Sequence, residues 1–132
     1  MNNNIFTIPS RLLIIDDVIK SQNKPTSCHY DLHSFISAMN IFNKKCPVVG
    51  GMLNRNHIER LDKPTHITHR LFINEYNIIV ADISFIDKSL EEKTSGMTIK
   101  PIIAIPLILG KQPINNAPKT TILKIVRVQI EL

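Results

Sequence analysis

Aromatic and thiol side chains are scarce in this sequence. Its 132 residues include no tryptophan, two tyrosines, five phenylalanines and two cysteines. The apolar content therefore comes mainly from isoleucine, leucine and valine. This bias favours strands, because β-branched side chains pack well on a pleated, half-buried surface. The cysteines, Cys28 and Cys46, match no Cys-x-x-Cys spacing, so we expect two reduced thiols rather than a redox or zinc motif.

No run of the sequence is long and apolar enough for a membrane helix. The most apolar stretch, "PIIAIPLILG", contains two prolines and falls short of the roughly twenty residues that a membrane span requires. No signal peptide is recognised. A chain of this length can bury roughly two-thirds of its unfolded surface. We therefore expect one soluble domain, residues 1–132, that folds without a disulfide, a metal ion or a cofactor.

The formal charge of +5 is not concentrated in one patch. The sixteen basic residues are scattered, and their densest group is Lys44 and Lys45. Aromatic residues do not alternate with them, as a stacking platform for bases requires. We therefore interpret the charge as a solvated positive surface and do not expect nucleic acid as a partner.

The N-terminal part is predicted to form a strand pair followed by one helix. The stretches "NIFTI" and "RLLIIDDVIK" have the composition of strands and are separated by Pro9 and Ser10. From Asp31 to Asn43, apolar residues recur at helical spacing behind an aspartate that can cap the first turn.

A β-hairpin is predicted in the middle of the chain. The stretches "THITHRLFI" and "IIVADISFI" alternate in side-chain type and are joined by the four-residue turn "NEYN". Before them, "CPVVGG" ends the helix and begins a short strand, and "NRNHIERLDKP" is expected to be an exposed polar loop.

Two further strands are predicted towards the C-terminus. The run "MTIKPIIAIPLIL" contains Pro101 and Pro106, which favours an edge or bulged strand because proline cannot donate a ladder hydrogen bond. The terminal "TTILKIVRVQIEL" has the alternation of a strand. The predicted fold class is α+β and strand-dominated, with about seven mostly antiparallel strands and one helix.

The histidines do not form a recognisable metal site. His66 and His69 are three positions apart, so on a regular strand they point to opposite faces and cannot bind one ion together. In that alternation His69 falls on the apolar face, which predicts a hydrogen-bonded core histidine. His29 and His33 are interpreted as helix-surface or capping residues, since no glutamate stands between them.

The segments from "DLHSFISAMNIF" to "PLILG" follow a recognisable order. A helix is followed by "PVVGGMLNR", a polar loop, the two hairpin strands, a short acidic segment and "SGMTIK". This order resembles the prohead proteases of tailed bacteriophages. In that family a Gly-x-Leu-x-His stretch carries the catalytic histidine and a later strand carries the serine, whose hydroxyl proton the histidine removes.

The catalytic positions of the family are not matched. The stretch "GMLNR" has Arg55 where the family has its histidine, and His57 lies two residues further on. Arginine stays protonated and cannot act as a base. Where the family carries its serine, this chain has Ile102 and Ile103, and isoleucine offers no nucleophile. The comparison therefore predicts a protease-like scaffold without catalytic activity.

The function we expect from the sequence is that of a non-catalytic viral structural or head-assembly protein. It would act through contacts with other protein chains, by self-association or with capsid and virion components, in the host cytoplasm or the virion. One alternative is an active serine peptidase, in which His57 or His69 lies beside a serine such as Ser95. Another is a small regulatory protein that binds a host or viral partner.

A contact surface is predicted in the run "KPIIAIPLILG". Apolar residues occupy both the odd and the even positions of this run, so on a strand they point to both faces of the sheet. One buried face of a two-layer domain cannot accommodate all of them. The residues expected to bind a partner are Ile102, Ile103, Ile105 and Leu107.

Overall fold

The computed structural model of the chain describes residues 4–22, 30–56, 58–104 and 122–132. In chain order its elements are β1 (Phe6–Ile15), β2 (Val18–Ser21), β3 (Tyr30–Asp31), α1 (Leu32–Lys45), β4 (Val48–Gly50), β5 (His66–Ile73), β6 (Ile78–Phe85), a 3₁₀ helix (Lys88–Gly96), β7 (Thr98–Ala104) and β8 (Lys124–Glu131).

The strand-dominated α+β class is confirmed. The described residues contain eight strands, against about seven predicted, and the 3₁₀ helix joins the expected α-helix. Nearly all strand pairs are antiparallel, and the additional strand is the two-residue β3, which is too short to leave a periodic signal in the sequence. In this part of the chain no helix has the length and apolar character to cross a membrane.

The sheet is curled so that its two ends meet. One path runs in the order β3-β2-β1-β6-β5-β4. Strand β7 pairs along its length with β8 and is joined to β1 by a parallel bridge between Ser10 and Ile99. On the other side, the chain just after β4 contacts β8 through a parallel bridge between Met52 and Ile130. The strands β1, β6, β5, β4, β8 and β7 therefore form a closed circuit around the core.

The N-terminal strand pair is confirmed, but its boundaries differ from the prediction. Strand β1 continues through Pro9 and Ser10, and the chain reverses at Asp16, whose φ is 55°. The pairing with β6 shifts just after Pro9, and the Ser10 hydroxyl accepts a hydrogen bond of 3.0 Å from the amide of Leu12. An irregularity of this kind accommodates the missing N–H of proline within a strand.

Helix α1 begins where the sequence predicts. Oδ2 of Asp31 accepts a hydrogen bond of 3.0 Å from the amide of Ser34 and caps the first turn. The helix continues to Lys45, two residues beyond the predicted end at Asn43. It packs against β5 and β8. Its buried side chains are Phe35, Ala38, Met39 and Phe42.

The β5–β6 hairpin is confirmed with its turn at residues 74–77. Oδ1 of Asn74 accepts hydrogen bonds from the amides of Tyr76 and Ile78, at 2.9 and 3.0 Å. Asn77 adopts φ 60°, a left-handed conformation that asparagine tolerates better than most residues. Asparagine at both positions therefore explains why this turn closes the hairpin.

The bulge beside Ile102 and Ile103 lies in β8 and not in β7, where the sequence predicted an edge or bulged strand. These two residues pair with Arg127 and Ile125, which leaves Val126 of β8 as the additional residue. Pro101 is buried and pairs with Val128 of β8, and β7 has a second neighbour, β1, only near Ile99. The proline therefore lies where the strand lacks a second ladder, which is where its missing N–H is tolerated.

Candidate functional site

The structure pairs His69 with Ser84 rather than with Ser95. Nε2 of His69 lies 2.9 Å from Oγ of Ser84. Ser95 lies in the 3₁₀ helix and is exposed, and His57 lies outside the described residues. The Ser84 side chain is only 1% exposed. A hydroxyl and a base are therefore in contact, but the hydroxyl faces away from solvent.

A bulge interrupts the regular alternation predicted for β5. Thr68 and Arg70 pair with consecutive residues of β6, which makes His69 the additional residue. A one-residue shift moves every following side chain to the other face. As a result His66 is fully buried whereas His69 is exposed. The prediction that His69 is the core histidine is therefore wrong, and His66 has that position.

His66 is held by two hydrogen bonds. Nε2 lies 2.8 Å from the carbonyl oxygen of Val128, and Nδ1 lies 2.9 Å from Oγ1 of Thr65. A carbonyl oxygen only accepts, so Nε2 carries the proton and Nδ1 accepts from the hydroxyl. Burial lowers the pKa of His66 to about 4, although the bond to Val128 opposes part of the shift. The ring is thus neutral near pH 7.

The residues predicted to bind a partner through β7 are only partly accessible. Ile102 and Ile103 are both half-buried, and Ile103 packs against the hydrophobic core. Ile105 and Leu107 lie outside the described residues. Within the described part of β7, one of the two isoleucines therefore contributes to the core of its own chain.

Of the two cysteines, only Cys46 is described. It is a free thiol, as predicted, and burial raises its pKa. Cys28 lies outside the described residues. A thiol with a raised pKa is a poor nucleophile because little thiolate forms.

Two glycines bring β4 close to β8. A Cβ atom at Gly50 would overlap the carbonyl oxygen of Val128 and lie 2.6 Å from Nε2 of His66. At Gly51 the carbonyl oxygen accepts a hydrogen bond of 2.9 Å from the amide of Ile130. The glycine pair therefore allows a close approach of two backbones.

A pocket of about 80 Å³ opens beside this contact. Its lining residues are Val49, Gly50, Gly51, Arg60, Leu61, Lys63, Pro64 and Gln129. Gln129 is fully buried, and its Oε1 accepts a hydrogen bond of 2.8 Å from the amide of Gly51. Its Nε2 atom has no hydrogen-bond partner in the described structure. Unpaired buried donors are rare in folded proteins, and this one has almost no accessible surface.

Two carbonyl groups lie close to the same space. A Cβ atom added at Gly51 would lie 2.7 Å from the carbonyl oxygen of Arg60, 3.2 Å from that of Lys63 and 3.7 Å from Nε2 of Gln129. No described residue is observed to donate a hydrogen bond to either carbonyl oxygen. These atoms crowd the Cα of Gly51, so a side chain at this position would overlap the Arg60 carbonyl oxygen.

The rim of the pocket is exposed and carries both apolar and charged side chains. The side chain of Val49 is 53% exposed and that of Leu61 is 69% exposed. Arg60 forms an exposed ion pair with Asp62, with 3.1 Å between Nη2 and Oδ2, and their hydrogen bond lowers the pKa of Asp62. The charge of Lys63, also at the rim, contributes to the lowered pKa values of Asp62 and Asp87.

The loop that forms one wall of the pocket is held to the sheet by hydrogen bonds. Arg127 of β8 holds Glu59 through two hydrogen bonds, of 2.6 and 3.2 Å. The amide of Arg60 donates to the carbonyl of Met52 at 3.1 Å, and that of Thr65 donates to the carbonyl of Gly50 at 2.9 Å. These contacts fix both ends of the segment that carries the two pocket carbonyls.

A row of polar side chains crosses the outer face of β1, β6 and β5. Asp82 accepts hydrogen bonds from Oγ1 of Thr7 at 2.6 Å and from Nε of Arg70 at 2.8 Å. The guanidinium carbon of Arg70 lies 4.0 Å from the centre of the Phe72 ring. Both oxygens of the carboxylate are therefore occupied, and this row is a satisfied surface network.

Among residues 4–22, 30–56, 58–104 and 122–132, no group of three or more histidine, cysteine, aspartate or glutamate side chains could hold a metal ion. The chain matches no protein-family model, and comparisons with curated proteins and with solved structures give no match. The functional interpretation of the chain therefore depends on its own geometry.

Sequence reasoning missed Gln129. It lies between Arg127 and Glu131 at alternate positions of β8, where polar residues normally face solvent. The segment 58–64 covers this part of the strand, and no local pattern shows that. The one usable signal was the glycine pair, since adjacent glycines after an apolar strand often mark a close backbone approach.

Proposed function

We propose that this protein acts without catalysis, through contacts with other protein chains at the pocket beside Gly51. The observation that carries the proposal is the exposure of two large apolar side chains at the rim of this pocket. Val49 is 53% exposed and Leu61 is 69% exposed. Exposed apolar side chains that lie together are a suitable surface for a protein partner.

The finer proposal is a structural or head-assembly protein of a tailed bacteriophage, built on a scaffold similar to the prohead proteases. The order of helix, glycine pair, polar loop and two strands supports it. This chain has Arg55 at the histidine position of that family and isoleucines at positions 102 and 103. These residues favour a member of the family without catalytic activity. The partner would be a second copy of the chain or a virion component. A small regulatory protein would use the same surface.

The proposal is tested at the rim of the pocket. Leu61→Asp places a charge on the apolar rim without changing the core, because Leu61 is 69% exposed. Tyr76→Asp is the matched control, since Tyr76 is 73% exposed and lies in the β5–β6 turn. We expect the wild type and Tyr76→Asp to self-associate in light scattering at micromolar concentration, or to retain the same virion protein, and Leu61→Asp to lose this interaction. Identical behaviour of all three proteins would contradict the proposal.

A second candidate function is serine hydrolysis through His69 and Ser84. The 2.9 Å contact between Nε2 and Oγ supports it, because a neighbouring base can remove the hydroxyl proton as the nucleophile attacks. The burial of Ser84 opposes it, since a nucleophile has to reach its substrate. Labelling with a fluorophosphonate distinguishes the two functions. Label on Ser84 that disappears in His69→Ala would establish the hydrolase, and an unlabelled chain would support the contact function.

A further inference from the structure

We infer that the protein has an acid-sensitive seam, which opens when His66 takes up a proton while the rest of the sheet stays folded. The seam is the contact between residues 50–53 and residues 127–130 of β8, together with the side chains of His66 and Glu59 that reach across it. The opening is a property of the single chain, so it does not depend on the proposed contact function.

The pair of strands β7 and β8 is attached to the rest of the sheet at two places. Strand β7 is joined to β1 by the bridge between Ser10 and Ile99, and β8 is joined to the chain after β4 by the bridge between Met52 and Ile130. The β5–β6 hairpin, by comparison, is held by seven pairs of residues. Regions with few backbone hydrogen bonds open at a lower free energy than the whole protein unfolds, which makes the seam a place for local opening.

Two backbone hydrogen bonds form the centre of the seam. The amide of Leu53 donates to the carbonyl oxygen of Ile130, and the amide of Ile130 donates to that of Gly51, both at 2.9 Å. A side chain adds to them, since the Gly51 amide donates to Oε1 of Gln129 at 2.8 Å. The seam therefore depends on side-chain contacts more than a regular strand pair does.

His66 supplies a contact across the seam whose charge can change in mild acid. Its Nε2 atom donates to the carbonyl oxygen of Val128 at 2.8 Å, next to Gly50. The ring is fully buried, and the residues paired with His66 on the neighbouring strands, Gly50 and Phe85, carry no charge. A proton on this ring therefore creates a buried charge, which is costly unless a carboxylate compensates it.

No carboxylate of the described residues is in contact with the His66 ring. On β6, Asp82 bonds to Arg70, and beside β8, Glu59 bonds to Arg127. The helix face that packs on β5 and β8 is apolar and consists of Phe35, Ala38, Met39 and Phe42. The other charged residues nearby lie at the ends of β8 or are exposed in the segment before β5: Lys124, Glu131, Arg60, Asp62 and Lys63. Burial is therefore the main cause that lowers the pKa of His66 to about 4.

This burial decides the direction of the pH effect. In the closed seam His66 stays neutral down to about pH 4, whereas an open seam exposes the ring to water and returns its pKa to the ordinary 6.5. As the pH falls from 6.5 towards 4, the open form binds a proton that the closed form does not. Opening is therefore favoured by up to about tenfold for each pH unit, which amounts to roughly twentyfold between pH 7 and 5.

Opening of the seam would free the edge of β8. The backbone groups of Val128 and Ile130 would lose their partners, and the buried Gln129 would become accessible. A strand of another chain can pair with an edge of this kind. This use of the edge rests on the proposed contact function.

Hydrogen exchange followed by NMR tests the opening. We expect the protection factors of the Leu53 and Ile130 amides, corrected for the intrinsic effect of pH on exchange, to fall roughly twentyfold between pH 7 and 5. At pH 5 their exchange should change little with low concentrations of urea, because a local opening exposes little surface, while the amides of the β5–β6 pairing should respond steeply. Equal protection and equal urea dependence in both sets of amides would overturn the inference, since the seam would then open only when the whole protein unfolds.

A pair of variants identifies the group that controls the seam. In His66→Gln the fall in protection between pH 7 and 5 should be lost. Glu59→Gln is the matched control, because it weakens the same seam through the contact with Arg127 but keeps His66. It should lower the protection at pH 7 and leave the fall with acid unchanged.

Two results would contradict the role of His66. One is a fall in protection that persists in His66→Gln. The other is available even if this variant does not fold, because the NMR signals of the His66 ring in the wild type report its protonation directly. Protonation of the ring should accompany the loss of protection at Leu53 and Ile130, and a ring that stays neutral while these amides become exposed would exclude it as the cause.

The partner experiment separates the seam from the contact function. If the seam amides lose protection in acid but Leu61→Asp keeps its partner, the acid-sensitive seam stands and the proposed contact function does not. If Leu61→Asp loses its partner while the seam amides keep their protection at pH 5, the contact function stands and the acid-sensitive seam does not.

Discussion

The imidazole of His66 reaches across β4 and bonds to the carbonyl oxygen of Val128 in β8 at 2.8 Å. Gly50 lies between them, and its missing side chain leaves the space for the ring. The other ring nitrogen contacts the Thr65 hydroxyl. A buried neutral histidine with both nitrogens satisfied therefore links two strands that do not pair with each other.

The first prediction is a loss of stability in mild acid that depends on His66. Its pKa in the folded chain is about 4, below the 6.5 of a free histidine, because burial disfavours the charged ring. Between these values the unfolded chain binds a proton that the folded chain does not. The contribution is fully present above pH 6.5 and is lost as the pH falls towards 4, by roughly 3 kcal/mol in total.

Chemical denaturation at a series of pH values between 7.5 and 4 measures this effect. In His66→Gln the free energy of unfolding should be lower at pH 7.5 but should fall less steeply with acid than in the wild type. If the slopes of His66→Gln and the wild type agree, His66 does not titrate as proposed.

The second prediction concerns Gly50. In Gly50→Ala the methyl group would overlap the Val128 carbonyl oxygen and press on the His66 ring. Both atoms belong to buried, hydrogen-bonded groups and have little room to move, so we expect a loss of about 2–4 kcal/mol. Gly96→Ala is the control and should leave the unfolding midpoint nearly unchanged. A similar midpoint for both variants would show that the strands can separate without cost.

The order of the elements could be predicted because their signals are local. Asp31 ahead of the apolar residues at helical spacing marked the start of α1, and the "NEYN" turn marked the β5–β6 hairpin. Both signals act within a few residues of the chain, where side-chain caps and turn conformations are decided. Long-range packing was not needed to recognise them.

The sequence could not show which β5 side chains point to the core, because a bulge depends on the pairing with the partner strand. His66 and His69 look alike in an alternating pattern, and only the pairing with β6 shows that His69 is the additional residue. The prediction at Pro9 was wrong for a similar reason. It predicted a break, whereas the shift in pairing after it lets β1 continue to Ile15.

The pocket itself depends on three distant segments that meet. Gly51 follows β4, Lys63 belongs to the loop before β5, and Gln129 lies in β8. The exclusion of solvent from Gln129 results from the covering loop and not from its own sequence context. Alternation along β8 groups this residue with Arg127 and Glu131 and cannot show that it is buried.

The third prediction is that the Arg127–Glu59 pair holds the pocket loop. The two side chains are 27% and 24% exposed, and their two hydrogen bonds lie in parallel. Such a partly buried, bidentate pair should show a coupling free energy of about 1 kcal/mol in a double-mutant cycle of Arg127→Met and Glu59→Gln. The Arg60–Asp62 pair, with side chains 60% and 70% exposed, is the control and should show no measurable coupling. Equal coupling in both pairs would mean that burial does not strengthen the first.

The fourth prediction concerns Asn43, which completes the ladder of β5. Strand β4 pairs only with residues 66–68 of β5, so the backbone of Leu71 has no strand neighbour on that side. The Asn43 side chain takes this place, since Nδ2 donates to the Leu71 carbonyl and Oδ1 accepts from the Leu71 amide, both at 2.8 Å. In Asn43→Ala both backbone groups lose their partner, and we expect a loss of about 2–3 kcal/mol.

Asn40→Ala supplies the control for this effect. Asn40 is exposed on the same helix, so its replacement gains the same helix propensity, roughly 0.5 kcal/mol, without removing a contact to β5. The difference between the two variants in urea denaturation therefore isolates the two bonds to Leu71. In Asn43→Asp the acceptor is kept and the donor is lost, which should place its stability between that of Asn43→Ala and the wild type. Equal stabilities for Asn43→Ala and Asn40→Ala would show that water replaces the side chain at this edge without cost.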